Sequence, residues 1–179
     1  MSFMKNYGPK FAMFKHIIAK ESPVIVEVGS HYGEDTLRFL ETFKSPLIYC
    51  FEPDPRNIAI FEKYVKNKNV KLYTQALSNF NGKSSFYQSY IKLNNDEVPQ
   101  KYDWITKEEY FRNNLNSSGA SSLKKGYDKL LGSQIEVDVL KASHWLKENK
   151  IKEVDLLWVD VQGSEKEVIL GFEDEIQKM

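Results

Sequence analysis

The chain has 179 residues with 25 basic and 25 acidic side chains, so it carries no net charge at pH 7 and fits one domain able to bury roughly 70% of its unfolded surface. No stripe of Lys or Arg could neutralise a row of phosphates, which argues against duplex nucleic acid as a partner. Neither a signal-peptide core nor an apolar run of about 18 residues is present and no disulfide framework is needed, so the expectation is a soluble, cytoplasmic protein without membrane attachment.

Residues 5–20 can form an opening helix, and the apolar, β-branched run Val24–Val28 reads as a first strand. A helix over residues 36–43 places Leu37, Leu40 and Phe43 on one side, and Leu47–Phe51 follows as a second strand that buries Cys50 as an inert thiol. Ile58, Phe61 and Val65 mark a third helix over 57–65, and residues 70–77 read as one further strand. Asn81-Gly82 suits a tight hairpin turn, so an antiparallel excursion over 83–90 is predicted.

From about residue 90 to 134 the pattern turns polar, with Tyr102, Trp104, Tyr110, Phe111 and Tyr127 and no sheet period, which predicts an insertion or lid within a single domain. Those aromatics could line an acceptor pocket or simply pack the insertion. Residues 135–139 alternate like a strand and lead into a helix through Leu146. The run 154–161 then reads as another buried strand, Ser164-Glu165-Lys166-Glu167 matches a capping box, and Gly171 could end the helix it opens. Strands alternating with helices predict an α/β fold, mainly a parallel sheet with helices on both faces.

Three loops carry chemistry. The first strand runs into Gly29-Ser30-His31-Tyr32-Gly33 and then a helix, a turn in which glycines permit close backbone approach and a helix start offers free amides to ligand oxygens. It could also be only a strand-to-helix turn. His31 would crowd a pyrophosphate, which disfavours NAD or FAD. Glu52 ends the second strand, where an acid can accept hydrogen bonds from both hydroxyls of a ribose, and Pro53 and Pro55 stiffen the turn after it. Asp160-Val161-Gln162-Gly163-Ser164-Glu165 ends the last strand, expected beside the first; its carboxylates could serve an acceptor hydroxyl or merely favour the helix start. His16 and His144 lack partners at metal-ligand spacing, and nothing in the sequence argues for a metal.

Taken in order, Val26-Glu27-Val28-Gly29-Ser30-His31-Tyr32-Gly33, Phe51-Glu52-Pro53-Asp54-Pro55, Gln75-Ala76-Leu77-Ser78 with Gly82, and Asp155-Leu156-Leu157-Trp158-Val159-Asp160-Val161-Gln162-Gly163-Ser164-Glu165 resemble the FkbM family of S-adenosylmethionine-dependent methyltransferases, over most of residues 24–172. Ser121-Ser122-Leu123 and Val137-Asp138-Val139-Leu140 also look like family features. The resemblance implies a Rossmann-like class I methyltransferase fold, S-adenosylmethionine as cofactor, and O-methylation of a small hydroxylated acceptor such as a sugar. It places Glu27, Gly29 and Gly33 around the methionine part with Ser30 and His31 in the same loop, and Glu52 with Pro53 at the ribose. Ala76, Leu77 and Ser78 would border the adenine, with Asp160 and Gln162 at the reaction edge.

The mechanism so implied has the acceptor hydroxyl attack the methyl as a base, Asp160 or His31, removes its proton. Trp158 stands where many relatives carry Lys, and Gln162 replaces the usual glutamate. The family fold continues beyond the last residue here, so the sheet is expected to be shortened at the C-terminus, its open edge available for a homodimer. A non-catalytic cofactor-binding module and an NAD-dependent oxidoreductase are the alternative readings.

Overall fold

The computed structural model describes residues 8–178 apart from 91–103, 107, 110–116 and 126–130. Four strands form the central sheet: β1 (Val24–Val28), β2 (Leu47–Phe51), β3 (Val70–Tyr73) and β7 (Leu156–Val159), in the order β3-β2-β1-β7. All three pairings are parallel, with Val28 opposite Phe51 on one side and Val159 on the other. Central strands of this kind must be apolar on both faces, and the two-residue period sorts them. Ile25, Ile48 and Cys50 pack with Phe11 of α1 (Gly8–Ile18), Phe39 of α2 (Glu34–Thr42) and Phe61 of α3 (Pro55–Tyr64). Val26, Val28, Tyr49 and Phe51 pack on the other side with Trp145 and Leu146 of α4 (Ala142–Glu148) and Val168 and Phe172 of α5 (Glu165–Phe172). The result is a Rossmann-like α/β fold. No helix among the described residues is long and apolar enough to cross a membrane.

Three expectations need correction. Residues 70–77 are not one strand: pairing with β2 stops at Tyr73, and β4 (Ala76–Ser78) joins a second sheet after the polar step at Thr74-Gln75. Nor does Asn81-Gly82 make a hairpin between adjacent strands. β5 (Gly82–Tyr90) runs antiparallel to β6 (Leu131–Lys141), and β6 lies between it and β4, to which it is parallel. Asn81 holds this junction through side-chain bonds, accepting from the Lys141 amide at 2.6 Å and meeting His144 Nδ1 at 2.5 Å. Finally, Ser164 stands at the N-cap of α5 without capping it; the Glu165 carboxylate instead turns back to accept the Gly163 amide at 3.0 Å.

Helix α3 begins at Pro55, two residues before the predicted start, because Asp54 accepts the Arg56 amide as N-cap and proline suits the first helical position. Trp158, the departure from the family pattern, is turned into the α1–α2 side, where its ring meets Phe11, Phe14 and Phe39 and its Nε1 donates to Asp35 Oδ2 at 2.9 Å.

Candidate functional site

The carboxyl ends of β1, β2 and β7 meet at one edge of the sheet. At the end of β1 the amides of Gly29 and Ser30 both donate to the Phe51 carbonyl, at 2.9 and 3.1 Å, which bends the chain sharply over β2. Gly29 has φ +84°, and a Cβ there would overlap the Asp160 carbonyl oxygen; its glycine serves the approach of the β7 loop. Gly33 has φ +88° and faces Val65 and Phe61 of the α3 end, so this second glycine serves helix packing. Between them His31 takes a left-handed φ of 52°, a conformation costly for a side-chain-bearing residue and common at functional turns.

Glu52 sits beside that turn. Only 4% exposed, it accepts from the His31 amide at 2.8 Å through Oε2, and from the Asp54 amide and Asn57 Nδ2 at 2.9 and 3.2 Å through Oε1. Burial raises its pKa to about 7, against the opposing pull of His31 and these amides. Asn57 Oδ1, on the neighbouring side chain, is buried without a hydrogen-bond partner. An unpaired buried acceptor of this kind costs about 1–3 kcal/mol unless a donor reaches it. A ligand hydroxyl would supply one.

A segment from the predicted insertion crosses this edge. Ser118, in the short 3-10 turn Ser118–Ala120, touches His31 Nε2 at 2.9 Å and the Tyr32 phenol at 2.5 Å. Ser121 Oγ accepts from the Arg56 guanidinium at 3.2 Å and from the Ser89 amide at 3.0 Å. Ser122 donates to the Val161 carbonyl at 2.9 Å, and Lys124 reaches the Gly163 carbonyl at 2.6 Å and Glu167 at 2.9 Å. The crossing segment thereby contacts the loops after β1 and β7 and the start of α3. Upstream, Ile105 and Trp104 pack on Tyr32, Ile60 and Tyr64. Tyr102, Tyr110, Phe111 and Tyr127 lie outside the described residues.

Asp54 anchors the crossing from beneath. Wholly buried, it is forked by the Arg56 guanidinium, with Nη2 at 2.6 Å, and also accepts from Gln88 Nε2 at 2.8 Å. Asp54, Arg56 and Gln88 were not among the residues singled out from sequence, although Asp54-Pro55 is a readable N-cap signal. Glu34 and Ser118 were missed as well, Ser118 because it lies in a stretch without periodicity.

The residues singled out from sequence fall into three groups. Gly29, Ser30, His31, Gly33, Glu52 and Pro53 share the β1–β2 edge, and Asp160 joins them through its backbone. The Asp160 carboxylate is exposed and takes the Gln162 side-chain amide, while Gln162 adopts a left-handed φ of 54°. Ala76, Leu77 and Ser78 are buried in β4; Leu77 joins the core with Val28 and Phe51, and the Ser78 carbonyl lies close against Gly171 of α5. Glu27 points away from the edge into the α2 side, 1% exposed, where its Oε2 accepts from Thr36 Oγ1 at 2.6 Å and from the Cys50 thiol at 3.6 Å.

Burial lifts Glu27 to about 8, the Thr36 bond offsetting part of the effect, while burial and the Glu27 charge push the Cys50 thiol well up. The folded state therefore keeps a proton that the unfolded chain releases above about 4.5. Its stabilisation is complete below that pH and is lost as pH rises towards 8. Glu27→Gln should remove this slope and be more stable than the parent at pH 8 by a few kcal/mol, roughly. Urea unfolding of both proteins at pH 5 and pH 8 checks it; equal pH slopes would refute the assignment.

Comparisons with known proteins place this edge in context. The methyltransferase FkbM domain matches residues 27–179. The 2-O-methyltransferase NoeI of Sinorhizobium fredii is 29% identical over 164 residues, 90% of this chain and 62% of that protein. Methyltransferase 1 of Beauveria bassiana is 29% identical over 154 residues, 84% of this chain and 59% of that protein. The chain thus spans less than two thirds of the length of each relative. A solved chain from Listeria monocytogenes, a candidate S-adenosylmethionine-dependent methyltransferase, matches 77% of this chain and 82% of its own at 12% identity and a TM-score of 0.31, too distant to argue from.

Proposed function

Because the chain belongs to the FkbM methyltransferase family, we propose that it is an O-methyltransferase, using S-adenosylmethionine to methylate a hydroxyl of a sugar or another small metabolite. The observation that carries this reading is Glu52, a buried carboxylate at the end of β2, held against the glycine turn with the unpartnered Asn57 Oδ1 beside it. A vicinal diol suits that pair: one hydroxyl donates to Glu52, the other to Asn57. Gly29, Ser30 and His31 would pass along the methionine part, and Asp160 and His31 flank the edge where an acceptor would approach. S-adenosylmethionine supplies an electrophilic methyl on a sulfonium. The chain's part is to hold both reactants in line and to take a proton, and alignment alone can supply about 7–11 kcal/mol of barrier reduction.

Thermal unfolding with saturating S-adenosylmethionine, S-adenosylhomocysteine and NAD tests the cofactor. At about 100 times Kd a ligand adds about 2.7 kcal/mol, so both adenosyl ligands should raise the midpoint by roughly 5–10 °C and NAD should not. Measured at pH 8, where Glu52 is ionised, Glu52→Gln should weaken S-adenosylhomocysteine binding by about 10- to 100-fold, the loss of a hydrogen bond to a charged acceptor. A parent protein that responds only to NAD, or a Glu52→Gln variant that binds normally by calorimetry, counts against the reading.

A further inference from the structure

His31 is gripped at both ring nitrogens. Glu34, in the first turn of α2, takes Nδ1 at 2.8 Å with one carboxylate oxygen and the Tyr32 amide at 3.0 Å with the other. A carboxylate only accepts, so in the neutral ring Nδ1 carries the proton and Nε2 presents its lone pair. That lone pair faces Ser118 Oγ at 2.9 Å, and the Tyr32 phenol approaches the same oxygen at 2.5 Å. One consistent arrangement of protons results: Ser118 donates to Nε2 and the phenol donates to Ser118.

An aliphatic hydroxyl is thus held against an imidazole whose tautomer is locked by an acid, the geometry in which histidine deprotonates a hydroxyl. Ser118 is 1% exposed and its segment is tied down where Ser89 Oγ donates to the Ser117 carbonyl at 2.5 Å, so this serine is no accessible nucleophile. The His31 side chain keeps 20% of its surface exposed, so it is not sealed from solvent as Ser118 is. Asp160, the other candidate base at this edge, has no such orientation: its carboxylate is exposed and engaged by Gln162.

Building on the methyl-transfer reading, we propose that Glu34 is the positioning residue for His31, that His31 Nε2 takes the acceptor's proton, and that the Ser118 hydroxyl holds the acceptor's place in the unliganded protein. In the step this implies, the acceptor oxygen bonds to the methyl carbon as its hydrogen passes to Nε2. The carbon–sulfur electron pair returns to the donor's sulfur, and the imidazolium so formed is countered by Glu34. The acceptor class is an aliphatic hydroxyl slim enough to reach His31 Nε2 once the Ser118 side chain rotates away from it, with the Tyr32 phenol as a second contact to its oxygen.

The test uses the full chain in three readouts: long-range ¹H–¹⁵N spectra of the histidine rings, S-adenosylhomocysteine binding by calorimetry, and release of S-adenosylhomocysteine with a panel of sugars. Expected are the Nδ1–H tautomer of His31 in the parent, mixed tautomers in Glu34→Gln, and recovery of the single tautomer in Glu34→Asp. Glu34→Gln should keep its affinity for S-adenosylhomocysteine yet lose kcat by about 10- to 10⁴-fold, the upper figure being the scale for an imidazole base that loses its orienting carboxylate. Ser118→Ala should lower the acceptor KM, since no internal hydroxyl then competes for Nε2. An Nε2–H tautomer in the parent overturns the proposal even where no sugar in the panel reacts, and so does a Glu34→Gln enzyme with parental kcat. Failure of the parent to bind S-adenosylhomocysteine while His31 shows the Nδ1–H form overturns the methyl-transfer reading instead, and the proton-transfer role falls with it.

Discussion

Asp54→Ala is expected to lower the unfolding midpoint by roughly 6–20 °C, from about 3–5 kcal/mol for breaking a buried ion pair and about 2–4 °C per kcal/mol in a domain of this size. The carboxylate is wholly buried and does three jobs at once. It caps α3 through the Arg56 amide, forms the fork with the Arg56 guanidinium, and takes the Gln88 side chain from β5. Alanine leaves these donors in a dry site without the acceptor they were built around, and the penalty is set more by that orphaning than by the bonds themselves. Asp54→Asn keeps one acceptor and should lose less. Thermal unfolding followed by circular dichroism decides, and a midpoint within 2 °C or so of the parent, the scale of an ordinary surface substitution, would mean that the network contributes little to stability.

Gly29→Ala should be of similar severity for a different reason. At φ +84° any side chain is strained by about 1–3 kcal/mol, and the added methyl meets the Asp160 backbone rather than a flexible side chain. Overpacking of that kind adds about 1–3 kcal/mol. Relief requires β7 to move away from β1 at their carboxyl ends, which carries the Asp160 loop out of the site. The variant should therefore lose both thermal stability and the response to S-adenosylhomocysteine, measured in one melting experiment with and without ligand. A variant that melts lower but binds as well as the parent would show that the β7 loop takes no part in holding the ligand.

The central sheet was legible because its strands obey one strong rule. Leu47–Phe51, and Val24–Val28 but for the buried Glu27, are apolar on both faces, as strands covered on both sides are, and the structure places both at the predicted bounds. The glycine turn and Glu52 were legible for a related reason: a strand that ends in a turn residue or an acid marks the carboxyl edge, wherever the sheet's neighbours prove to be. The second sheet was not. β4 has three residues, and whether Asn81-Gly82 closes a hairpin or a wider crossing depends on a partner strand some 50 positions away, which no local pattern encodes. The acids around the site divide in the same manner. Asp160 and Glu52 stand at strand ends and could be named from the chain alone, whereas the orientation of Glu34 towards His31 depends on the left-handed turn at His31 itself.

The pairing of β5 with β6 has a further consequence, in the order in which the molecule assembles. Tyr90 lies opposite Leu131, so the ladder closes a loop that contains the whole crossing segment. Such a closure pays its entropy before any distant contact repays it, and pairings between strands far apart in sequence tend to form late. The parallel strands β1 and β2, joined through α2, can come together first, carrying the glycine turn and Glu52 with them. The roof of the site, with Ser118 and Ser121, is then completed after that floor. A chain interrupted within residues 91–130 would be expected to retain the ligand-facing floor while losing the cooperative link between floor and roof.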